Sequence, residues 1–411
     1  MENAKSEENQ RKHTKKNYLK TKEYLSMKKF ISTFLVIIML FGIGCGTNLF
    51  AFAEDYTYED SKTIKTIFDV PDNRYNGYNS TNLGGISVGT ANNRLFCVKS
   101  NGYEQIGTLY YYNNIYDSRF KNGTKSPKKI VFTDGLLGHA NAMAIDDSYV
   151  YVTMAQKNGT EKTAILRISR LAISALKDGD VVSKTRTTVK DDTSGNTIKI
   201  YTVLRPKTTS GANYTKSISF ITRYKSNKNT GVTKFIIGYP NGKQKLGFTF
   251  ATLSGDNFTV STSKDDVFYV NNPYAKSAND TGVVIQDIFY DAYYGFFVSM
   301  WMYKDNSPRI SVNTLNYVLR ANIKNLSTAN NRTLDPVDKV IINKPTDHNG
   351  TLTKFEIESI ACVKRDESKT DLDKYVFIFS CNKEIIVNGN AVGRDSIEEL
   401  VGLGRDMVKF N

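Results

Sequence analysis

The chain has 411 residues, with 55 Lys or Arg against 41 Asp or Glu and a formal charge of +14. Its 25 Tyr and 22 Phe exclude a disordered chain, which would lack the apolar surface needed to offset the entropy of ordering. Only one apolar stretch approaches spanning length, which excludes a polytopic membrane protein and leaves one large domain or two of ordinary size.

From Met27 the sequence reads Met-Lys-Lys, an apolar run Phe30 to Ile43, and Ala51-Phe52-Ala53. A basic segment, an apolar segment and a small-x-small site together form the layout of a secretory signal peptide. The expected division is therefore 1–53 as N-terminal extension and signal, and 54–411 as the exported body. Residues 1–26 are either an extended basic region or the product of a start upstream of Met27. Gly42-Ile43-Gly44-Cys45 leaves lipidation at Cys45 as an alternative to cleavage after Ala53. Residues 1–53 hold nine Lys/Arg and four acids, which leaves +9 for residues 54–411. No membrane-spanning segment is expected after cleavage.

Short runs of β-branched and aromatic residues dominate the body, among them Tyr149 to Thr153, Lys234 to Ile237, Asp266 to Val270 and Tyr375 to Phe379. Gly, Asn, Asp and Ser bound most of them. Helical patterns are confined to Ser169 to Leu176 and Ser396 to Leu403, so the chain reads as all-β. One two-strand pattern recurs. It pairs Gly84–Val88 with Arg94–Val98, Asn141–Ile145 with Tyr149–Thr153, and Lys216–Ile221 with Thr233–Ile237. It returns as Gln286–Tyr290 with Gly295–Ser299 and as Glu358–Cys362 with Tyr375–Phe379. The copies start 57, 75, 70 and 72 residues apart. A further echo, Ile165-Leu-Arg-Ile168 and Val318-Leu-Arg-Ala321, falls where a third strand would lie.

Five units of four strands read as a five-bladed β-propeller forming a single domain, with Thr63 to Val70 closing the last blade. Six or seven blades follow if residues 244–271 hold an extra one, and two β-sandwich domains are the other arrangement. On these repeats the chain resembles bacterial secreted β-propeller proteins at the level of fold, without the marks of a particular family.

If the repeats are innermost strands, Gly84, Asn141, Lys216, Gln286 and Glu358 gather at one end of a central channel. Asn82, His139, Tyr214, Val284 and Glu356 come two residues earlier, and Asp287 sits beside Gln286. Amides, an imidazole, an ammonium and carboxylates around one mouth suit a hydroxyl-rich ligand. The expected ligand-binding residues are His139, Asn141, Lys216, Gln286, Glu358 and Trp301. The bland alternative is that such groups cap strand ends, and that His139 is a satisfied structural histidine. Five-bladed propellers also host glycosidases that use two or three carboxylates. Glu358 and Asp287 would be that pair, tuned by Lys216 or His139. Gly84 and Asn141 offer no carboxylate, and no nucleophile elbow, zinc helix or phosphate loop is present, so the reading leans away from an enzyme.

Tyr103, Tyr110 to Tyr112 and Tyr116, and Tyr293, Tyr294, Trp301 and Tyr303, form two Tyr-rich groups. These either stack on sugars or fill spaces between strands. No cofactor or metal is expected, because His139 and His348 are the only histidines of the body and no Cys-x-x-Cys occurs. Cys97, Cys362 and Cys381 allow at most one disulfide, with Cys362 and Cys381 as the candidate pair.

The positive charge lies in loop clusters at 121–129, 223–228 and 243–245, which suits anionic wall polymers better than nucleic acid. The expectation is a secreted or cell-surface bacterial protein, monomeric, that binds a polysaccharide or cell-wall polymer at its channel mouth. A glycoside hydrolase or polysaccharide lyase of the same fold, or a bacteriocin-like or adhesive protein, are the alternatives.

Overall fold

The computed structural model describes residues 59–89, 93–155, 161–227, 229–241, 245–275, 282–291, 295–303, 315–345, 351–364 and 375–400. The signal segment, Cys45, Tyr293, Tyr294 and His348 lie outside the described residues. Thr57–Asn411 is one compact unit.

Five antiparallel sheets follow one another along the chain. Blade one is Asn82–Gly89, Arg94–Ser100, Gly107–Tyr112 and Lys128–Phe132, with Val181–Val182 added in parallel at its edge. Blade two is Met143–Ile145, Tyr149–Thr153, Ile165–Ser169 and Tyr201–Leu204. Blade three is Phe220–Asn227, Val232–Asn241, Lys245–Ser254 and Asn257–Val260, edged by Lys207–Thr208. Blade four is Val283–Asp291, Phe296–Tyr303, Leu315–Asn322 and Pro336–Asn343. Blade five is Thr351–Lys364, Tyr375–Val387, Ser396–Leu400 and, as its outermost strand, the N-terminal Glu59–Asp69.

The molecule is thus a five-bladed β-propeller. Each recurring sequence pair supplies the first and second strands of a blade, and the Leu-Arg echo supplies the third strands of blades two and four. Residues 244–271 hold no sixth blade: Lys245–Ser254 and Asn257–Val260 complete blade three.

The ring closes through the N-terminal strand. Its first half pairs in parallel with blade four (Glu59↔Lys339 to Thr63↔Asn343), and its second half pairs antiparallel with Ser396–Leu400 (Ile64↔Leu400, Asp69↔Ser396). Ser396–Leu400 is therefore a strand where local pattern predicts a helix. All five of its residues are buried, so no polar face marks a period, and its two partners come from distant parts of the chain. The other predicted helix is present as Arg170–Ala175, capped by the Ser169 side chain on Ala172 N.

Apolar layers fill the spaces between blades. One layer joins Phe96 and Leu109 of blade one to Val150 and Leu166 of blade two, and another joins Phe235, Phe248 and Phe297 across blades three and four. A third joins Met300 and Val318 to Ile357 and Phe379. The layer of Phe68, Leu83, Tyr110, Ile378 and Ile397 joins the last blade to the first. Burying these faces is what holds five separate sheets in one ring.

Side chains on the inner strands add polar staples from blade to blade. The Thr153 hydroxyl donates to Ser219 O (3.1 Å), Tyr290 N donates to the Thr222 hydroxyl (2.9 Å), and Ile86 N donates to the Ser359 hydroxyl (3.1 Å). The Ser380 hydroxyl donates to Gly84 O (2.8 Å).

Cys97, Cys362 and Cys381 are free thiols. Cys362 and Cys381 lie on paired strands but face Phe377 and Ile357 respectively, about 14 Å apart along the ladder, beyond disulfide reach. Burial pushes all three thiols up, away from reactivity. Among the described residues no helix is long and apolar enough to cross a membrane.

Candidate functional site

The charged alternation Lys354-Phe-Glu-Ile-Glu358 places three ionisable side chains along the inner strand of blade five. The strand is bulged at Glu358: Ile357 faces Cys381 and Ser359 faces Ser380, leaving Glu358 as the extra residue. Gln286 is the corresponding extra residue in blade four, between the pairs Ile285↔Trp301 and Asp287↔Met300. A bulge re-aims side chains, and these two turn polar groups toward each other across the junction of blades four and five.

Gln286 Nε2 donates to Glu356 Oε1 at 2.8 Å, and Asn382 Nδ2 donates to Glu358 Oε1 at 2.7 Å. Asn382 also accepts Leu83 N (3.2 Å), which ties the cluster to blade one. Lys354 Nζ lies 3.7 Å from Glu356 Oε2. The Glu358 carboxyl is held well above the usual carboxylate range, first by burial and then by the Glu356 charge, with a hydrogen bond between the two carboxyls adding to the effect. The Asn382 amide and Lys354 oppose that rise. The site is a proton-sharing carboxyl pair, flanked by two amides and one ammonium.

Of the six expected ligand-binding residues, Gln286 and Glu358 come together here, through Glu356. His139 sits at the junction of blades one and two, its Nδ1 2.9 Å from Glu104 Oε1. Asn141 is half-buried just ahead of Met143–Ile145. Lys216 is exposed four residues before its inner strand, its ammonium 4.4 Å from the Tyr239 ring centre. The cation that bears on Glu358 is Lys354 rather than Lys216 or His139. Trp301 is 8% exposed, packs with Tyr317 and Leu319, and donates Nε1 to the Ser299 hydroxyl at 2.8 Å, so its ring is part of the core.

Asp287 lies within the wall. It is 1% exposed, and its carboxyl accepts from the Ser359 hydroxyl, from Ile360 N (3.2 Å) and from Ile288 N (2.7 Å). These bonds staple blade four to blade five, and Glu358's carboxyl partner is Glu356. Gly84 leaves its ring position without a side chain because the Ala140 carbonyl oxygen sits 2.6 Å from where a Cβ would be.

Burial raises the Asp287 carboxyl to about 8. The folded chain then holds a proton that the unfolded chain releases near pH 4, so this group's contribution to stability falls as pH rises from about 4 to about 8. Asp287→Asn is expected to flatten that slope, read as urea midpoints against pH. Equal slopes in the two proteins would reject the assignment.

Sequence reasoning placed Glu356 in the ring without choosing it, and passed over Lys354 and Asn382. The Lys-x-Glu-x-Glu alternation and a lone amide at the end of the apolar run Tyr375 to Cys381 were the available signals.

No family model and no curated protein matches the chain. Among solved structures, it is similar to the tail fiber of Staphylococcus aureus phage P68, with 10% identity and a TM-score of 0.43, over 85% of this chain and 55% of that one. It is similar to a GH43_12 protein retrieved from capybara gut metagenome, at 7% identity and a TM-score of 0.39, over 83% of this chain and 54% of that one. It is also similar to the α-L-arabinofuranosidase PaAbf62A from Podospora anserina, at 7% identity and a TM-score of 0.41, over 84% and 98%. The chain spans about half the length of the first two.

Proposed function

We propose that this is an exported bacterial protein that binds a hydroxyl-rich polymer, a glycan or cell-wall polysaccharide, at the mouth formed by blades four, five and one. The observation that carries the reading is the Glu356–Glu358 carboxyl pair held between the Gln286 and Asn382 amides. A protonated acid donates, its partner carboxylate accepts, and amides do both, which matches the mixed demands of sugar hydroxyls. The body's positive charge adds a long-range attraction to anionic wall material.

Hydrolysis is the second reading, because a carboxyl kept protonated is also what a general acid requires. Its spacing argues for binding: two carboxyls in mutual hydrogen-bond contact lie closer than the roughly 5–9 Å that glycosidase pairs span.

The test uses co-sedimentation with insoluble peptidoglycan and a polysaccharide panel. Glu358→Gln keeps a neutral hydrogen-bonding group and is expected to retain binding within about threefold, whereas Glu358→Ala loses about tenfold. Failure of the chain to sediment with any polymer would sink the reading. Release of sugars that vanishes in Glu358→Gln would favour hydrolysis instead.

A further inference from the structure

We propose that a second cleft, on the outer side of blade one, docks a sugar ring of a neutral glycan and so extends the polymer-binding surface beyond the mouth; it rests on the glycan reading above. The cleft has a volume of about 630 Å³ and is walled by three short segments. The first is the hairpin Asn73–Ser80, whose Asn76-Gly77 turn has φ values of 47° and 81° and sets Tyr75 opposite Tyr78. Asn73 Nδ2 anchors it to the Thr108 hydroxyl at 3.0 Å.

The second wall is the loop 101–106. Buried Asn101 takes the N–H groups of Gln105 (2.9 Å) and Ile106 (3.2 Å) on its side-chain oxygen, and Glu104 N on its backbone oxygen (2.9 Å). The third wall, Thr133–Gly135, is tied to this loop by Gly135 N donating to Gln105 O at 3.0 Å. Glu104 and Asp134 are both held at positive φ, 59° and 58°. A backbone wired this densely presents its side chains in fixed positions before any ligand arrives, which lowers the cost of binding.

What these walls present is aromatic. Tyr103 is 80% exposed and Tyr78 41% exposed, and both exposed aromatic side chains among the described residues face this one cleft. A single exposed ring is ordinary, but two converging with Tyr75 on a concave site are not. Tyr faces accept the C–H faces of a sugar ring while their hydroxyls stay wet. Gln105, Glu104 and Asp134 then supply groups for the ring hydroxyls. The lining contains acids and no Lys or Arg, so it disfavours anionic polymers and selects neutral ones.

The cleft also lies toward the mouth. Glu104 pairs with His139, whose neighbour Ala140 accepts Gly85 N at 2.7 Å, where the inner strand of blade one meets the entry to blade two. One polymer chain can therefore pass from the tyrosines toward the carboxyl pair.

The experiment follows Tyr103 directly. The full chain is nitrated with tetranitromethane, with and without soluble arabinoxylan, hydroxyethyl cellulose or polygalacturonate, and the Tyr103 and Tyr78 peptides are quantified by mass spectrometry. Binding is read in parallel as retardation in gels containing the same polymers. At least one neutral glycan is expected to slow Tyr103 nitration about tenfold, polygalacturonate is not, and Tyr103→Ala is expected to weaken retardation about tenfold with Tyr103→Phe restoring it. Tyr103 nitrated equally fast in the presence of a glycan that retards the protein overturns the cleft and leaves the mouth standing. Protection of Tyr103 with retardation insensitive to Glu358→Ala overturns the mouth and leaves the cleft. No retardation by any of these polymers overturns both.

Discussion

Lys383→Met is expected to destabilise the propeller by about 3–5 kcal/mol, because it strands a carboxylate inside the seam that closes the ring. The Lys383 ammonium is 3% exposed and donates to Glu398 Oε1 at 2.7 Å, and the Glu398 side chain is fully buried. Thr66 of the N-terminal strand donates to the same oxygen at 3.0 Å and accepts from Lys383 at 3.2 Å. Three segments, from the start of the body, the second strand of blade five and its last inserted strand, thus meet on one ion pair. Domains of this kind have total stabilities of about 5–15 kcal/mol, so the loss is a large fraction of the whole. Urea denaturation followed by circular dichroism gives the midpoint. The double variant Lys383→Met with Glu398→Leu removes both charges and is expected to recover much of the loss. A single-variant loss below about 1 kcal/mol would show that the seam does not depend on the pair.

Gly138→Ala is the second large effect. Gly138 adopts φ +59°, and a Cβ there would stand 1.9 Å from the carbonyl oxygen of Met154. That carbonyl accepts His139 N at 2.8 Å, so it cannot retreat without releasing the segment that leads into blade two. The left-handed conformation alone costs an alanine about 1–2 kcal/mol, and relieving a backbone overlap brings the expected loss to about 3 kcal/mol or more. Gly393→Ala is the control, since nothing lies within 4 Å of its added carbon and its φ is ordinary. A midpoint for Gly138→Ala equal to that of the control would refute the contact. Because His139 is the next residue, the variant is also expected to disturb the His139–Glu104 pair beside the tyrosine cleft.

Much of the fold was legible because propeller blades are built from local signals. Tyr149 to Thr153 or Tyr375 to Phe379 are buried on both faces and read as strands from their own residues. Their recurrence every 57 to 75 residues set the blade number. Thr63 to Val70 could be nominated as the closing strand because a ring of four-stranded units lacked one. Ser396–Leu400 was misread as helix for the opposite reason: its identity as a strand depends on partners more than 300 residues apart in sequence.

The candidate site was legible only in part. Aligning the repeats put Gln286 and Glu358 at equivalent positions, and both prove to be bulged residues. It could not show that the bulge would send Gln286 and Asp287 both toward blade five, one to Glu356 and the other to the Ser359 hydroxyl. Strict alternation puts neighbouring side chains on opposite faces, and a single inserted residue breaks that rule. Trp301 posed a similar problem, since an indole at a strand end serves core and surface equally well until its neighbours Tyr317 and Leu319 are in place.

The sequence alone therefore determined an all-β chain, its five repeats and the strand that joins its ends, because each rests on hydrophobic pattern within a few residues. The tertiary structure alone decided which carboxyls meet, which are sealed into the wall, and that Tyr103 is exposed while Tyr110 and Tyr112 are buried. Those outcomes depend on bulges, close backbone approaches and packing between blades, and none of them is a property of any short stretch of chain.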